Sequence, residues 1–367
     1  MRIVYVLTSL GMGGAERQVV ALAERMAGRG HAVALMVLRP PVMEQWPTTV
    51  TVVHLGMRKT PGSVIAAMAH GRRFLAEFHP DLVHSHSFFA NLAARLLKLF
   101  LPSLKVLSSV HNVYEGGWLR MLAYRMTDKL SCRTTTVSQA AGIRFVCKGA
   151  IPQHKCVIMP NGIDIEEFAP NAERREKMRV RMCAGKPFIW FTAGRIVPAK
   201  DYPNLLEAFA QVIEVRLDTQ LWIAGELTGR EASAVQALSE EFDLDRFVLW
   251  LGLRRDLPAL LDAADGFVLA SAWEGMPLAV GEAMAMEKPV VATGVGGVRE
   301  LVGDAGVVVP PKAPDELAEA MIDMMRRKPQ RRRAMGRAAR ERIVRDFSMD
   351  AKAVEWESLY RNLTVET

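Results

Sequence analysis

Short apolar runs alternate with amphipathic stretches along the whole chain. In the first half, runs typical of buried strands lie at 2–8, 32–37, 81–84, 105–110, 133–138 and 156–159. The second half repeats the scheme at 188–193, 220–224, 247–251, 266–270, 289–292 and 306–309. Helical patterns lie between most of these runs, for example from Glu16 to Gly28 and from Ser63 to Phe78. Such alternation predicts βαβ units, an α/β fold and buried parallel sheets.

The chain length predicts two doubly wound, Rossmann-like domains, since 367 residues exceed one ordinary core. The alternation breaks at Phe168-Ala169-Pro170, so we expect domains at 1–168 and 169–348. A last helix at 349–367 carries enough apolar surface to dock on another part of the chain, and we predict that it packs back across the first domain. Ligands of open α/β sheets bind beyond the carboxyl ends of the strands. We therefore expect the chemistry in a cleft between the two domains.

Charge is uneven between the predicted domains. The net charge is +7, yet residues 1–168 contain 19 Lys and Arg against 10 Asp and Glu, a balance of +9. A basic half predicts an acidic partner, such as a phosphorylated substrate, an anionic lipid or nucleic acid. The sequence has no zinc finger, aromatic RNP motif or Lys/Arg block, which argues against nucleic acid.

The remaining composition predicts a cytoplasmic protein without a metal. No run of 18 apolar residues is present, so we expect no transmembrane helix, and the N-terminus resembles a buried strand more than a signal peptide. Cys132, Cys147, Cys156 and Cys183 show no C-x-x-C pairing, which fits free thiols in a reducing compartment. The spacing of the histidines indicates no metal site.

A glycine loop follows the first strand. Gly11 and Gly13 have the spacing of a dinucleotide-binding loop, but Glu16 stands where a third small residue is needed. An NAD(P)-dependent oxidoreductase is therefore only weakly indicated. Gly13 and Gly14 would still offer N–H groups to a phosphate or sugar oxygen, and a plain tight turn explains them equally well.

Two later segments of the first half also follow strands. His111 comes just after the run at 105–110 and can donate to a sugar hydroxyl or a phosphate, although a purely structural histidine is also possible. The dipeptide Asn161-Gly162 predicts a turn with positive φ at the crossover between domains.

Cations and carboxylates follow the strands of the second half. Gly194 and Arg195 end one strand, and Lys200 lies near the next helix start, so both cations can converge on a diphosphate. Glu274 and Glu282 bracket a strand-to-helix corner in which we expect Pro277 at the first helical position. By themselves the two glutamates could be acids at an exposed helix start.

In this order the motifs resemble the retaining GT-B glycosyltransferases of family 4, a group that includes bacterial surface-polysaccharide and lipopolysaccharide enzymes. The resemblance covers nearly the whole chain. It is carried by Gly13-Gly14-Ala15-Glu16, His111-Asn112, Pro160-Asn161-Gly162-Ile163-Asp164, Gly194-Arg195 with Lys200, Glu274-x7-Glu282 and Gly294-x-Gly296-Gly297.

The resemblance assigns roles to these positions. It implies that Arg195 and Lys200 hold the donor diphosphate and neutralise the leaving group. It implies that Glu274 and His111 contact the donor sugar and that Glu282 binds the ribose. The other residues implied in donor binding are Gly13, Gly14, Gly194, Gly275, Met276, Pro277 and Leu278. Of these, Gly13 and Gly14 would approach the diphosphate from the first domain. No divalent metal or other cofactor is implied, because the two cations neutralise the phosphate.

The acceptor is less defined than the donor. The resemblance implies a nucleotide-diphosphate sugar, in particular a UDP-sugar, and a saccharide or polyprenyl-diphosphate-linked acceptor. The apolar stretch 88–101 could lie at an anionic membrane surface or be a buried helix. The same motifs would also fit a nucleotide-sugar epimerase of GT-B fold or a non-catalytic sugar-binding protein.

Overall fold

The computed structural model describes residues 1–11, 13–42, 48–182 and 187–365. The chain divides into two compact units. The first consists of Met1–Gly162 together with Met349–Thr367, and the second of Ile163–Ser348. The first boundary therefore follows Gly162, whereas the sequence pattern predicted it after Phe168.

The first unit is built on a parallel sheet. Within the described residues, seven strands have the order β3-β2-β1-β4-β5-β6-β7. They are β1 Arg2–Leu7, β2 Ala32–Val37, β3 Thr51–His54, β4 Leu82–His86, β5 Val106–Val110, β6 Arg133–Thr136 and β7 Cys156–Ile158. The sequence did not predict β3, a half-exposed edge strand of 4 residues. The inner strands are buried along most of their length, as in parallel sheets covered on both faces.

The helices of the first unit include the one at the C-terminus. They are α1 Gly14–Gly28, α2 Pro61–Phe78, α3 Phe88–Phe100, α4 Trp118–Thr127, α5 Gln139–Cys147 and, after the second unit, α14 Met349–Val365. Trp356 and Tyr360 of α14 share a core with Ile3 and Tyr5 of β1. The predicted return of the last helix to the first domain is confirmed.

The second unit repeats the architecture. Over its described part, six parallel strands have the order β10-β9-β8-β11-β12-β13. They are β8 Phe188–Ala193, β9 Thr219–Ala224, β10 Val248–Gly252, β11 Gly266–Leu269, β12 Val290–Thr293 and β13 Val307–Val309. The helices are α6 Ala172–Met182, α7 Tyr202–Val215, α8 Arg230–Glu241, α9 Leu257–Ala263, α10 Leu278–Ala285, α11 Val298–Val302, α12 Pro314–Arg326 and α13 Pro329–Arg342.

The crossover at Asn161-Gly162 differs from the expected turn. Neither residue has a positive φ. Glycine is needed at Gly162 for space, because a Cβ there would come within 2.8 Å of Met349 Cα. The close approach joins the end of the first unit's main segment to the start of α14.

Two further expectations concern the cysteines and the membrane. Cys132, Cys147 and Cys156 are free thiols, and Cys183 lies outside the described residues. Across the described ranges, no helix is both long and apolar enough to cross a bilayer.

The strand order reverses once in each sheet. In the first unit the reversal lies between β1 and β4, and in the second between β8 and β11. Loops leave these two strands toward opposite sides of the sheet, which opens a crevice beyond their carboxyl ends. A ligand site is therefore expected among the residues that follow these four strands.

Candidate active site

Lys200 and Glu274 form an ion pair at the reversal point of the second unit. Lys200 ends a short 3₁₀ turn after β8, and Glu274 follows β11. Since β8 and β11 are hydrogen-bonded neighbours, residues distant in sequence meet there. The Lys200 Nζ to Glu274 Oε1 distance is 2.6 Å, and both side chains are mostly buried.

Neighbouring hydroxyl groups fix the Glu274 carboxylate. The Ser271 hydroxyl donates to the same Oε1 at 2.7 Å, and the Thr293 hydroxyl donates to the Ser271 carbonyl at 2.7 Å. Glu274 Oε2 makes no hydrogen bond with any described residue. The carboxylate is thus held by one oxygen, and the other remains able to accept a hydrogen bond from a ligand.

Arg195 does not join this ion pair. Its side chain is exposed and contacts no charged partner among the described residues. The preceding Gly194 is held in place, because its carbonyl accepts a hydrogen bond from the Tyr202 hydroxyl at 2.9 Å. Burial and the nearby Glu274 charge raise the pKa of Tyr202, so this hydroxyl stays a neutral donor. The expected convergence of both cations therefore requires Arg195 to move.

The corner after Glu274 differs slightly from the expected geometry. Helix α10 begins at Leu278, and Pro277 precedes it with an extended backbone, so Pro277 is not the first helical residue. Gly275, Met276 and Glu282 are buried. The possibility that Glu282 is an acid on an exposed helix start is therefore wrong. The first N–H groups of α10 have no carbonyl partner within their own helix.

A glycine loop supports the backbone of Glu274. Gly297 N–H donates to the Gly275 carbonyl at 2.7 Å. Gly296 has φ +53°, and a Cβ there would overlap the carbonyl of Glu274. Only glycine satisfies both demands at little cost. Gly296 and Gly297 therefore fix the backbone that carries the Glu274 side chain.

In the first unit, His111 pairs with a second histidine. His86 at the end of β4 and His111 after β5 are joined by a 2.9 Å contact between Nδ1 of His86 and Nε2 of His111. Burial lowers the pKa of His111 to about 4 and that of His86 well below its usual value, so both rings are neutral. Nδ1 of His111 has no hydrogen-bond partner among the described residues. This nitrogen can therefore serve a ligand.

The carboxylate of Glu16 lies beside Gly13 at the start of α1. Gly13 precedes the helix and Gly14 is its first residue, while Met12 lies outside the described residues. The carboxylate of Glu16 lies against Gly13, on the side that a Cβ would occupy. A phosphate approaching Gly13 would meet this negative charge. The arrangement disfavours a dinucleotide phosphate and with it an NAD(P)-dependent oxidoreductase.

Sequence reasoning missed Glu115. Its carboxylate accepts hydrogen bonds from the Tyr124 hydroxyl at 2.7 Å and from the backbone N–H of His111 at 3.3 Å. Burial raises the pKa of Glu115 to about 7. The only available signal was an acid four positions after His111 in a glycine-containing loop, which is too common to be diagnostic.

Glu115→Gln is expected to change how stability depends on pH. A carboxyl group whose pKa rises from 4.5 to about 7 on folding stabilises the protein most below pH 4.5, and this contribution is lost as the pH rises to 7. The difference in unfolding free energy between wild type and variant should therefore fall over this range and then level off. Urea titrations at a series of pH values measure it.

The matched control is Glu77→Gln on the exposed face of α2. Subtracting the unfolding free energy of the variant from that of wild type at each pH cancels the contribution of the histidines. Their pKa values are lowered on folding, so they act in the opposite direction, and their contribution to stability is lost as the pH falls below 6.5. A pH-independent difference for Glu115→Gln would show that its carboxyl titrates at an ordinary value in the fold.

Metal ligands are not clustered in the part of the chain that the structure describes. No group of three or more His, Cys, Asp or Glu side chains there is placed to hold an ion.

Both units match glycosyltransferase families. Residues 12–167 match the profile described as Glycosyltransferase Family 4, and residues 187–327 match the one described as Glycosyl transferases group 1. A UDP-Gal:alpha-D-GlcNAc-diphosphoundecaprenol alpha-1,3-galactosyltransferase of Escherichia coli is 26% identical over 78% of this chain and 76% of its own length.

A second relative and a solved structure extend the comparison. A GDP-mannose-dependent monoacylated alpha-(1-6)-phosphatidylinositol monomannoside mannosyltransferase of Corynebacterium glutamicum is 32% identical over 71% of this chain and 69% of its own length. The crystal structure of Anabaena HepE in complex with UDP-glucose superimposes with a TM-score of 0.86, at 20% identity, over 99% of this chain and 100% of the other. The chain belongs to the GT-B glycosyltransferases of group 1 and family 4.

Proposed function

We propose that this protein transfers a sugar, with retention of configuration, from a UDP-sugar to a polyprenyl-diphosphate-linked saccharide in cell-surface polysaccharide synthesis. The observation that supports this most is the Lys200–Glu274 ion pair, held at the β8–β11 reversal point. A cation and a carboxylate at one strand edge suit a ligand that carries both phosphate and sugar hydroxyl groups.

The donor would exchange partners with this ion pair. Lys200 would turn from Glu274 to the diphosphate, and the exposed Arg195 would close on the same phosphates. The released carboxylate would accept hydrogen bonds from the donor sugar, with Ser271 still holding it in place. Glu282 would bind the ribose, and the backbone from Gly194 and from Gly275 to Leu278 would line the diphosphate.

In the first unit we propose that His111, Gly13 and Gly14 bind hydroxyl groups of the ligand. Nδ1 of His111 would bind a sugar hydroxyl. Because the ring is neutral, it carries no positive charge that would attract a phosphate in place of the hydroxyl. Gly13 and Gly14 would approach a hydroxyl rather than a phosphate oxygen, since the Glu16 carboxylate lies beside them.

The chemistry would follow the front-face course implied by the family resemblance. The bond between the anomeric carbon and the phosphate oxygen breaks, and the acceptor hydroxyl attacks from the same face. The departing phosphate oxygen takes the acceptor proton. Lys200 and Arg195 would stabilise the charge that grows on the diphosphate, so the step needs no metal from the protein.

The acceptor proposal follows the Escherichia coli relative, whose name specifies a diphosphoundecaprenol acceptor and UDP-Gal. The Corynebacterium glutamicum relative uses GDP-mannose and a phosphatidylinositol mannoside instead. Both acceptors are lipids, and they differ in the group that carries the sugar.

A nucleotide-release assay separates these choices. UDP-sugars and GDP-sugars are supplied with a diphosphoundecaprenol-linked GlcNAc, with a phosphatidylinositol mannoside, or alone. Release of UDP only with the polyprenyl acceptor, and a product of unchanged anomeric configuration by NMR, would support the proposal. Release of GDP with the phosphatidylinositol acceptor, or an inverted product, would overturn it.

A further inference from the structure

Helix α4 presents an apolar face to solvent. Trp118, Leu119, Leu122 and Met126 are exposed, with Trp118 at 72% and Met126 at 75%. Their spacing places them on one side of the helix. The opposite side is anchored by Tyr124, which is fully buried. The helix therefore has one side buried at Tyr124 and an apolar face that is exposed to solvent.

Helix α3 has the same two-sided character. Phe89, Leu96, Leu99 and Phe100 are exposed, with Phe100 at 61%. Ala90, Ala94 and Leu97 on the other side lie in the core. Phe88–Phe100 is thus a core helix on one side, as the buried-helix expectation has it, and an exposed apolar surface on the other, while contact with a membrane stays a prediction.

The two helices are neighbours in the first unit. Helices α3 and α4 pack together, and the guanidinium group of Arg120 stacks on Phe88 and Phe89 at 4.8 and 5.2 Å from the ring centres. Large apolar side chains scattered singly over a surface are ordinary, but four exposed on one side of each of two neighbouring helices indicate a partner. We call this set the α3–α4 face: Phe89, Leu96, Leu99, Phe100, Trp118, Leu119, Leu122 and Met126.

The charges around the α3–α4 face identify the partner. Residues 88–130 contain six Lys and Arg and two acids, and two of the six cations are engaged elsewhere: Arg95 is buried, and Lys105 donates to the carbonyls of Leu363 and Thr364. Both acids are turned inward, Glu115 onto Tyr124 and Asp128 onto Lys155 at 3.0 Å. Arg125 and Lys129 remain exposed beside the apolar residues. Exposed Trp, Leu and Phe side chains next to exposed Arg and Lys are typical of surfaces that bind anionic bilayers.

We propose that the α3–α4 face docks on an anionic lipid bilayer. The apolar side chains would enter the headgroup region while Arg125 and Lys129 contact the lipid phosphates. The proposal is independent of the donor chemistry, because docking needs no nucleotide sugar, and it would hold for any lipid acceptor.

Vesicle sedimentation tests the proposal with the whole chain. We expect binding to vesicles of phosphatidylcholine with phosphatidylglycerol and little binding to phosphatidylcholine alone. Trp118→Ser/Leu122→Ser should lower the binding constant by about tenfold, since two apolar side chains no longer enter the lipid. Arg125→Gln/Lys129→Gln should lower binding to the mixed vesicles and reduce its salt dependence.

Matched controls come from α2 in the same unit. Val64→Ser/Ile65→Ser and Arg72→Gln/Arg73→Gln change exposed residues of the same kinds and should leave vesicle binding unchanged. Equal losses in control and test variants, or no binding by wild type, would overturn the proposal. So would a stable dimer that Trp118→Ser/Leu122→Ser dissociates, since the face would then bind a second copy. Unchanged thermal unfolding of each variant excludes misfolding.

Discussion

Lys200→Ala is expected to lower kcat by about a hundredfold or more, the scale of losing one preorganised charge at a developing anion. The ammonium group lies at the β8–β11 reversal point, 2.6 Å from Glu274. Charge on the diphosphate grows as the glycosidic bond breaks, so Lys200 should stabilise the transition state more than the bound donor. We therefore expect kcat to fall more than KM rises.

The chain offers a matched control for this experiment. Lys177 and Glu173 form an ion pair of the same length, 2.6 Å, with both side chains about three-quarters exposed. Lys177→Ala should leave turnover near that of wild type. Thermal unfolding must also be compared, because Lys200→Ala leaves a largely buried carboxylate without its cation. Near wild-type turnover of folded Lys200→Ala would refute the diphosphate role.

Glu274→Gln is expected to lower kcat by a similar factor, about a hundredfold, with little change in affinity for UDP. The amide keeps the volume of the side chain but removes the charge that pairs with Lys200 before the donor binds and that would then face the donor sugar. Because UDP lacks the sugar that is transferred, its binding should depend on Glu282, which would hold the ribose, and on the cations. Steady-state kinetics and calorimetric titration with UDP measure the two quantities.

Glu173→Gln is the control for Glu274→Gln, because it changes the exposed partner of the Lys177 pair. Glu282→Gln should show the reverse pattern, with a weaker Kd for UDP. If Glu274→Gln weakened UDP binding as much as it lowered turnover, Glu274 would bind the nucleotide and not the donor sugar. The double variant Lys200→Ala/Glu274→Gln should lose less than the product of the single effects, because the two groups act as a unit.

The stronger predictions from sequence came from long apolar runs. Residues 32–37 and 188–193 were predicted as strands and are strands with the same bounds. Thr51–His54 was missed because it is short, lies at the sheet edge and is half-exposed, so no continuous apolar run indicates it. Pro277 was placed one step too far into its helix, since proline favours both the first turn and the position before it.

The candidate site also combines features that local sequence predicts with contacts that only the fold creates. The two cations and Glu274 are local features that follow strands, and Glu282 lies in the helix after Glu274. Their partners were not predicted: Ser271, Thr293 and Glu115 are common residue types whose roles depend on contacts made through the fold. The separate positions of Lys200 and Arg195 could not be predicted either, because the direction of a side chain depends on its surroundings.

The sequence by itself determined the alternation of strands and helices and the chemistry available at the strand ends, because these follow from local periodicity and residue type. Only the tertiary structure decided which strand ends meet. The order of strands sets β8 beside β11 and β4 beside β5, and this brings Lys200 to Glu274 and His86 to His111. Burial then makes the histidines neutral and leaves the α3–α4 face uncovered, and burial is a property of the packed chain rather than of any segment.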